Sequence, residues 1–568
     1  MAKMNPYSRR ALAALKRNIG PFRGRLKDIA ERSADASFPL MQQGENNARW
    51  DAIVIGGALS GAATAFLLRQ RNPSARILIL EKDTAFRRRV GEATVEISGY
   101  FLGRVLGLTE HLNQHHLVKQ GLRYWFANEQ TKNFGDCSET GPGYNVRFPG
   151  YQVDRSVLDE HVLAKTAATG VTVRRGVKVR DVELLSGGTQ RVHWHDEDGG
   201  EGIEEARWVV DASGVCALLA RKNGWFQPNR EHPIAAIWSR WSGVKNWDSP
   251  ELAAKFPEYA TRTKAVRFTA TNQLAGWGWW AWFIPLKGGD VSIGFVFDQR
   301  FTDLPEGGSL GERLRQLIEQ HPAGKEMLSS ATFHEGDVHF RRNLAYSSST
   351  FAGNGFVLVG DAAAFMDPFY SPGMDWISYS SSAASALIDD CLRGKPAAAR
   401  VQRHNDRFRI SYSRWFTSIY KDKYFYIGDQ ELMTLAFRLD LAGYYFGVVS
   451  QPFKYGSRIL EIPSFASNYS GFPAKLISLY NRRLVKIAQS RRARGTWGRC
   501  NTGVYYGFTS YELNGILPLR LLKALAGWGW LELREGWRTW FINPRVVEER
   551  PLHPTRKDVV REATPAAV

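Results

Sequence analysis

The strongest constraint on this sequence is a glycine-rich turn that lies between two apolar segments near its start. The apolar segment Asp51–Ile55 runs directly into the turn, which reads GGALSG over residues 56–61. The patterns predict a buried strand over Asp51–Ile55, a helix over Ser60–Gln70 and a second, parallel strand over Arg76–Leu80. Such a β-turn-α-β unit opens a nucleotide-binding fold, in which helix N-terminal amides hold a pyrophosphate.

The turn also carries the residues expected of a dinucleotide fingerprint. Gly56 and Gly61 occupy its first and last glycine positions, and Ala58 stands at the middle one. Glu81 follows Gly61 by 20 residues and ends the second predicted strand, where a carboxylate would bind ribose hydroxyls. We therefore predict that Gly56, Ala58, Gly61 and Glu81 bind the cofactor.

Two later segments favour FAD over NAD as that cofactor. Val209–Gly214 reads VVDASG and Val359–Ala363 reads VGDAA. They resemble the second and third signatures of FAD proteins of the flavin monooxygenase type. The resemblance implies that Asp361 binds the ribityl chain of FAD.

Four more segments make the resemblance specific to one family of FAD proteins. They are RRRVGEAT over Arg87–Thr94, HHLVKQGLRYWF over His115–Phe126, WAWFIP over Trp280–Pro285 and DPFYSPGMD over Asp367–Asp375. Together they resemble the flavin loop, the lysine segment, the WxWxIP pattern and the DPxxSxG turn of flavin-dependent halogenases. The motifs span roughly residues 51–390.

This resemblance implies roles for particular residues. The implied catalytic residues are Lys119 and Glu92. The additional cofactor-binding residues are Val90, Gly91, Pro368 and Gly373, and the halide and substrate wall is formed by Trp280, Trp282, Tyr370 and Ser371. No metal is implied.

The family chemistry supplies an expected mechanism. A separate flavin reductase provides reduced FAD, which with O₂ and chloride or bromide yields hypohalous acid. Lys119 then passes the halogen on, as a haloamine or by hydrogen bonding, and desolvation would lower the proton affinity of such a lysine. The alternative interpretations are a solvated surface lysine for Lys119 and a structural ion pair for Glu92.

One departure informs the substrate. Tryptophan halogenases carry a glutamate just before the serine of the DPxxSxG turn, whereas this sequence has Tyr370. An aromatic residue there resembles the phenol- and pyrrole-type enzymes. We therefore expect a small phenolic, resorcinol-like substrate, either free or tethered to a carrier protein.

The stretch GWGWWAWFIP over residues 276–285 holds four of the chain's 19 tryptophans. If it is one strand, alternate side chains share a face. Trp280, Trp282 and Ile284 would then project together, and of these Trp280 and Trp282 are assigned to the wall between flavin and substrate. The opposite row, which we expect to pack against the aromatic C-terminal region, comprises Trp277, Trp279, Ala281 and Phe283.

These elements predict an α/β architecture. We expect a Rossmann-like FAD-binding fold of the flavin monooxygenase type with an inserted mixed β-sheet and a largely α-helical C-terminal region. The predicted division is a basic N-terminal arm over 1–49, a halogenase-like core over 50–390 and a helical, aromatic-rich region over 391–568 that covers the substrate site. A hairpin is predicted through Gly288-Gly289.

Composition limits the partners and the compartment. With 75 Lys+Arg against 56 Asp+Glu the net charge is +19, which favours an acidic carrier or an anionic membrane surface. No recognition motif for nucleic acid accompanies the charge. Four dispersed cysteines argue against disulfides and zinc, so we expect a cytoplasmic protein.

Two local patterns have ordinary interpretations. The uncharged stretch Phe268–Leu286 contains too many polar residues and glycines for an integral membrane span. His111, His115 and His116 lack accompanying carboxylates, so we interpret them as solvated or capping residues and not as metal ligands.

Two other functions remain open from the sequence. An FAD-dependent aromatic hydroxylase could keep the fold without halogenation, and it would need a flavin that responds to NAD(P)H. A basic membrane- or carrier-binding protein could retain the FAD fold without catalysis. The complete WxWxIP pattern favours the halogenase.

Overall fold

The computed structural model describes residues 49–541 except 149, 187, 265, 509–512 and 514–516. Apart from Arg49, the N-terminal arm predicted over 1–49 lies outside the described residues. The same holds for the part of the predicted C-terminal region beyond residue 541.

Strands prevail in the first two thirds of the described chain and helices in the last third. The strands are β1 Trp50–Ile55, β2 Ile77–Glu81, β3 Leu117–Lys119, β4 Leu122–Phe126, β5 Ser138–Pro142, β6 Gly150–Gln152, β7 Thr172–Arg175, β8 Val177–Glu183, β9 Gln190–Asp196, β10 Glu201–Asp211, β11 Phe226–Pro228, β12 Ile234–Ser242, β13 Thr271–Gly276, β14 Trp279–Pro285, β15 Val291–Asp298, β16 Thr332–Phe333, β17 His339–Arg341, β18 Tyr346–Ser348, β19 Ala352–Gly353, β20 Phe356–Leu358, β21 Ala364–Phe365 and β22 Tyr505–Phe508. The α-helices are α1 Leu59–Arg71, α2 Glu96–Tyr100, α3 Thr109–His115, α4 Arg155–Ala167, α5 Leu218–Lys222, α6 Pro250–Lys255, α7 Pro257–Thr261, α8 Leu310–Glu319, α9 Pro322–Met327, α10 Gly373–Leu392, α11 Ala397–Trp415, α12 Gln430–Tyr444, α13 Ser450–Tyr455, α14 Gly471–Ala493 and α15 Leu517–Arg534.

The first sheet is the predicted nucleotide-binding sheet. Its central strands run in the order β20-β10-β1-β2-β7 and each neighbouring pair is parallel. Helix α1 follows β1 and packs against α4 and α10. The predicted strand-helix-strand unit is confirmed, and the turn over residues 56–61 lies at the carboxyl end of the central strand, where ligands of such sheets bind.

The second sheet is the predicted inserted mixed sheet. Its strand order is β16-β12-β15-β14-β13-β4-β5-β22, with β17 also paired to β12. Strands β14 and β15 are antiparallel, with Pro285 opposite Val291, so the predicted hairpin is confirmed. Strand β22 of the C-terminal region joins this sheet, and α10 runs across residue 390.

The tryptophan-rich stretch is not one strand. Strand β13 ends at Gly276 and β14 begins at Trp279, and Gly278 has a φ of 77° in the turn between them. Trp277 lies in this turn and its ring is 5.5 Å from Phe301 and 5.4 Å from Trp497, between ring centroids. Grouping Trp277 with Trp279 was therefore wrong, because the turn breaks the strand alternation.

Side chains alternate between the two faces of β14 as predicted, but the C-terminal region packs against the opposite face from the one expected. Trp279, Ala281 and Phe283 belong to a hydrophobic cluster formed within residues 125–340, and Trp279 stacks on Phe295 at 4.8 Å. The C-terminal region instead contacts the other face, where the Tyr424 hydroxyl accepts a hydrogen bond from Trp280. The prediction that the Trp279 row packs against the C-terminal region was wrong, because side-chain alternation defines a face without identifying its neighbour.

One helical stretch in the described residues meets length and hydropathy criteria for a membrane span. Residues Gln430–Tyr455 number 26, and 61% of the most apolar window is buried inside the fold. A buried core helix passes the same test, so this stretch is weak evidence for a span. The stretch Phe268–Leu286 contributes strands β13 and β14 to the second sheet.

Arg491 links separate parts of the helical region. Its side chain is fully buried in α14, and Nη1 lies 2.8 Å from Oδ1 of Asp429. Nη2 lies 2.6 Å from carboxylate oxygens of both Glu431 and Glu535. These charge-assisted contacts tie α14 to the start of α12 and to the segment after α15.

We expect Arg491→Met to lower the free energy of unfolding by about 3–5 kcal/mol, because it leaves the buried Asp429 carboxylate without its cation. Urea unfolding followed by tryptophan fluorescence measures the change. Arg482→Met on the same helix is the matched control, since Arg482 is exposed, and it should change stability by less than about 0.5 kcal/mol. Equal stability of the two variants would contradict the role assigned to Arg491.

Candidate active site

The turn after β1 leaves no room for side chains at two positions. Gly56 has a φ of 99°, and a Cβ there would lie 2.6 Å from the carbonyl oxygen of Ala212. A Cβ on Gly61 would lie 1.9 Å from the carbonyl oxygen of Gly56. Ala58 caps α1 without a side-chain hydrogen bond. This backbone-lined turn at a helix N-terminus fits the pyrophosphate of FAD.

Glu81 lies beside this turn. Its Oε2 accepts a hydrogen bond of 2.6 Å from the Gly57 amide, and its Oε1 accepts one of 2.9 Å from the Asp83 amide. The side chain is buried at the end of β2. The structure therefore brings Gly56, Ala58, Gly61 and Glu81 together at one edge of the sheet.

Two cavities adjoin the segment 367–373, which precedes α10. The inner cavity has a volume of about 180 Å³, and the outer cavity about 700 Å³. Of the predicted residues, the inner cavity is lined by Val90, Gly91, Glu92, Trp280, Trp282, Asp361, Pro368, Ser371 and Gly373. The outer cavity is lined by Lys119 and Tyr370, and Pro372 lines both cavities.

The inner cavity is lined by a segment that packs on the nucleotide-binding turn. A Cβ on Gly360 would lie 2.9 Å from the Cβ of Ser60, so the segment that holds Asp361 packs directly on the turn. Burial raises the pKa of the Asp361 carboxyl, whereas the charge of Arg155 lowers it. The turn, Asp361 and the inner cavity together could hold FAD along one continuous path.

Arg155 is a site residue that the sequence reasoning missed. It lines the inner cavity, and its guanidinium forms two hydrogen bonds, of 3.0 and 3.1 Å, to the buried Asp159. A Cβ on Gly91 would lie 2.9 Å from Arg155 Nη1. The signal in the sequence was Asp154, which caps the N-terminus of α4 and so places Arg155 at its first position.

Glu92 is held in a buried ion pair. Its Oε1 lies 2.7 Å from Nη2 of Arg240, and Nη1 of Arg240 lies 2.7 Å from Oδ2 of Asp154. Burial raises the pKa of the Glu92 carboxyl, and the positive charge of Arg240 opposes that rise. Glu92 thus faces the inner cavity from within a structural ion pair.

A chain of hydrogen bonds connects the WxWxIP strand to the DPxxSxG turn. Trp280 Nε1 donates to the Tyr424 hydroxyl at 2.9 Å, and that hydroxyl donates to Oδ2 of Asp367 at 3.1 Å. The same oxygen lies 2.6 Å from Nε2 of His232. The indole of Trp280 also meets Phe369 edge to face, with ring centroids 5.2 Å apart. These contacts fix Trp280 against the turn.

The turn itself has a strained backbone. Tyr370 and Ser371 have φ angles of 69° and 57°, in the left-handed region that non-glycine residues avoid. Such residues cost about 1–3 kcal/mol each and persist where surrounding contacts enforce them. The Ser371 amide donates to the Pro368 carbonyl at 2.9 Å, and the Tyr370 hydroxyl donates to Oδ2 of Asp440 at 3.0 Å.

Lys119 is buried in the wall of the outer cavity. Its side chain is 2% exposed, and Nζ donates a hydrogen bond of 2.9 Å to the Thr94 carbonyl. Burial lowers the pKa of Lys119 to about 8, against the opposing charges of Glu96 and Asp375. Lys119 is therefore not the solvated surface lysine of the alternative interpretation.

The two carboxyls near Lys119 were missed from the sequence. The Tyr445 hydroxyl donates to Oε1 of Glu96 at 2.6 Å. The Tyr444 hydroxyl donates to Oδ2 of Asp375 at 2.9 Å. Burial raises the pKa of both carboxyls, to about 7 for Asp375. The detectable signal was their placement among apolar residues inside the segments 87–97 and 367–377.

Asp440 is a third acid on the outer cavity that the sequence analysis missed. Its Oδ2 lies 2.7 Å from Nζ of Lys423, and its carboxylate also accepts hydrogen bonds from Tyr370 and Tyr480. Burial raises the pKa of both tyrosines well above 10. The C-terminal helices therefore supply polar groups to this cavity, although no motif marked them.

The histidine interpretation needs correction. His111 and His116 are buried, and His111 stacks on His161 with ring centroids 3.8 Å apart. Burial and the neighbouring histidines lower the pKa of His111 to about 4. Interpreting His111 and His116 as solvated was wrong, because both side chains are buried, whereas His115 is exposed as expected. Within the described residues, no group of three His, Cys, Asp or Glu side chains could hold a metal ion.

Comparison with known proteins identifies the family. The profile of the tryptophan halogenase family matches residues 51–147 and 138–421. Flavin-dependent halogenase armH3 of Armillaria mellea is 27% identical over 64% of this chain and 72% of its own. Sulochrin halogenase gedL of Aspergillus terreus is 26% identical over 64% of this chain and 67% of its own.

Solved structures share the fold. Halogenase PltM superposes with a TM-score of 0.68 at 18% identity, covering 84% of this chain and 97% of PltM. The flavin-dependent brominase Bmp2 gives a TM-score of 0.54 at 21% identity, covering 76% and 99% of the two chains. The profile match covers well over half of the sequence. The chain therefore belongs to the tryptophan halogenase family and is a flavin-dependent halogenase, an FAD-dependent oxidoreductase.

Proposed function

We propose that this enzyme halogenates a small phenolic substrate, with Lys119 relaying the halogen from the inner to the outer cavity. The observation that carries the proposal is the position of Lys119, buried in the wall of the outer cavity and hydrogen-bonded to the Thr94 carbonyl. A buried amine with lowered proton affinity is suited to react with an oxidant.

The proposed roles of the cofactor-side residues rest on the family resemblance, and the positions of these residues are compatible with them. The turn at Gly56, Ala58 and Gly61 would hold the FAD pyrophosphate. Asp361 would bind the ribityl chain, and Glu81 the ribose. When bound in its reduced form, FAD would supply two electrons to O₂, and the O₂-derived oxidant would convert chloride or bromide into hypohalous acid with release of water. Val90, Gly91, Pro368 and Gly373 would form the rest of the flavin site.

The proposed wall keeps the substrate away from the flavin. Trp280 and Trp282 line the inner cavity only, and Trp282 is held by a hydrogen bond of 3.2 Å to the Ser292 hydroxyl. Pro372 is common to both cavities. Hypohalous acid, being small, would pass this boundary along Ser371, whereas an aromatic ring would not.

The relay transfers the halogen in two steps. Neutral Lys119 Nζ takes the halogen of hypohalous acid, and the displaced hydroxide leaves as water with a proton of the amine. The N–halogen bond then breaks as a ring carbon takes the halogen, the amine nitrogen takes a proton from the neutral Asp375 carboxyl, and the ring proton departs to restore that carboxyl. Asp375, with a pKa near 7 and a place on the same cavity, is suited to receive that proton.

A phenolic substrate is supported by three observations. Tyr370 stands where tryptophan halogenases have glutamate, and it hydrogen-bonds to Asp440 on the wall of the outer cavity. One relative is named for sulochrin, and PltM was crystallised with phloroglucinol and FAD. Phenols are activated toward electrophiles, so no strong base is needed at position 370.

The partners complete the proposal. A separate flavin reductase would supply reduced FAD, and chloride or bromide would be the halide. The substrate would be free or carrier-bound, and the compartment cytoplasmic. No nucleic acid is a partner in this proposal.

Lys119→Ala tests the relay. We expect the variant to bind FAD and to release hydrogen peroxide, yet to lose halogenated product by at least about 100-fold, because no amine carries the halogen across. Product analysis by mass spectrometry with a reductase, bromide and a panel of phenols measures this. Lys178→Ala, at an exposed lysine of β8, is the control and should retain full activity.

Two results would contradict the proposal. Unchanged halogenation by Lys119→Ala would show that another residue carries the halogen. Hydroxylated products that form without halide in the parent enzyme would favour the aromatic hydroxylase instead.

The pH dependence tests the protonation state of Lys119. Its pKa is lowered to about 8, so the neutral fraction grows as pH rises toward and through 8. We expect the single-turnover rate of halogenation to rise with pH, to be half-maximal near 8 and to level off above about 9, while FAD binding stays constant. A rate that falls as pH rises through 8 would show that the ammonium form acts, as a hydrogen-bond donor.

A further inference from the structure

The outer cavity opens through a mouth of exposed aromatic side chains. Four of its lining residues, which we call the aromatic rim, are at least half exposed: Phe446 at 50%, Tyr455 at 67%, Tyr469 at 94% and Phe472 at 76%. Soluble proteins rarely expose several large apolar side chains close together, and such clusters mark interaction sites.

Basic residues are interleaved with the rim. Lys454 precedes Tyr455, and Lys475 and Arg482 lie three and ten positions after Phe472 on the face of α14 that also exposes Leu479. All three cations are exposed, and none pairs with an acid within the part of the chain that the structure describes. The rim is thus apolar and positively charged.

The surrounding sequence carries almost no negative charge. Between Ile462 and Leu531 it holds ten Lys or Arg residues and one acidic residue, Glu512. Four of the ten, Arg483, Arg491, Arg494 and Arg499, form ion pairs with acids outside this segment. The excess of positive charge that remains attracts anions.

Helix α15 adds a second apolar surface beside the same cavity. Its residues Leu521 and Leu525 line the outer cavity. Its outward residues Leu519, Leu522, Trp530 and Leu533 are each at least 60% exposed. A helix that is apolar on both faces normally has both faces covered.

We propose that the aromatic rim and its lysines and arginine bind the surface of an anionic lipid bilayer, with the outer cavity opening toward the lipid. Tyrosine, tryptophan and phenylalanine bury in the interfacial layer while basic side chains reach the headgroups. Protein interfaces are depleted in lysine, so the interleaved cations favour a bilayer over a protein partner.

Vesicle flotation of the FAD-loaded full chain tests the proposal, and because it needs no turnover its result is independent of the halogenation chemistry. The probes are vesicles of phosphatidylcholine alone and of phosphatidylcholine with phosphatidylglycerol. We expect binding to the anionic vesicles only, weakened by salt. The paired variants Tyr469→Ser with Phe472→Ser, and Lys475→Glu with Arg482→Glu, should each weaken partitioning at least about tenfold.

The matched control variant carries Ile203→Ser and Lys178→Glu. These substitutions change one exposed apolar residue and one exposed basic residue on strands β8–β10 of the first sheet. It should bind like the parent. No binding of the parent to either vesicle overturns the proposal, and so does capture of an acidic acyl carrier protein by the rim in place of vesicles. Residues 1–48 are also basic, so binding that survives both paired variants overturns the assignment to the rim.

Discussion

The active-site architecture depends on a strained turn between two cavities. Tyr370 and Ser371 adopt left-handed backbone angles, and the turn persists because its ends are bound on both sides. Asp367 accepts hydrogen bonds from Tyr424 and from the Phe369 amide, and the Tyr370 hydroxyl reaches Asp440. The constraint places Pro368 and Ser371 on the inner cavity and Tyr370 on the outer cavity. Every proposed step from flavin to substrate crosses this turn.

Burial determines the chemistry available on the outer side. Lys119 lies with two carboxyls, Glu96 and Asp375, on the wall of the outer cavity, and burial shifts the pKa of each group toward its neutral form. A surface lysine at its ordinary pKa would be almost wholly protonated at neutral pH. Aromatic and basic residues are exposed at the mouth of the same cavity. Its buried wall therefore carries the proposed relay, and its mouth carries the proposed lipid contact.

Local patterns predicted the elements well, and distant contacts explain what they missed. The turn after β1 and the acid at Glu81 are recognisable because the whole unit lies within one short segment. Alternation along β14 separated the Trp280 face from the Trp279 face correctly. It could not reveal that Tyr424, 144 residues away from Trp280, covers the first of these faces. Asp440 was missed for the same reason, since only folding brings it to Tyr370.

The central claim is that hypohalous acid crosses from the inner to the outer cavity without leaving the protein. The direct measurement is product yield during turnover in the presence of a hypohalous-acid trap, such as monochlorodimedone, too large to pass the turn. If the oxidant stays enclosed, the yield of halogenated phenol is unchanged and the trap stays unhalogenated. Halogenation of the trap with an equal loss of phenolic product would contradict the account.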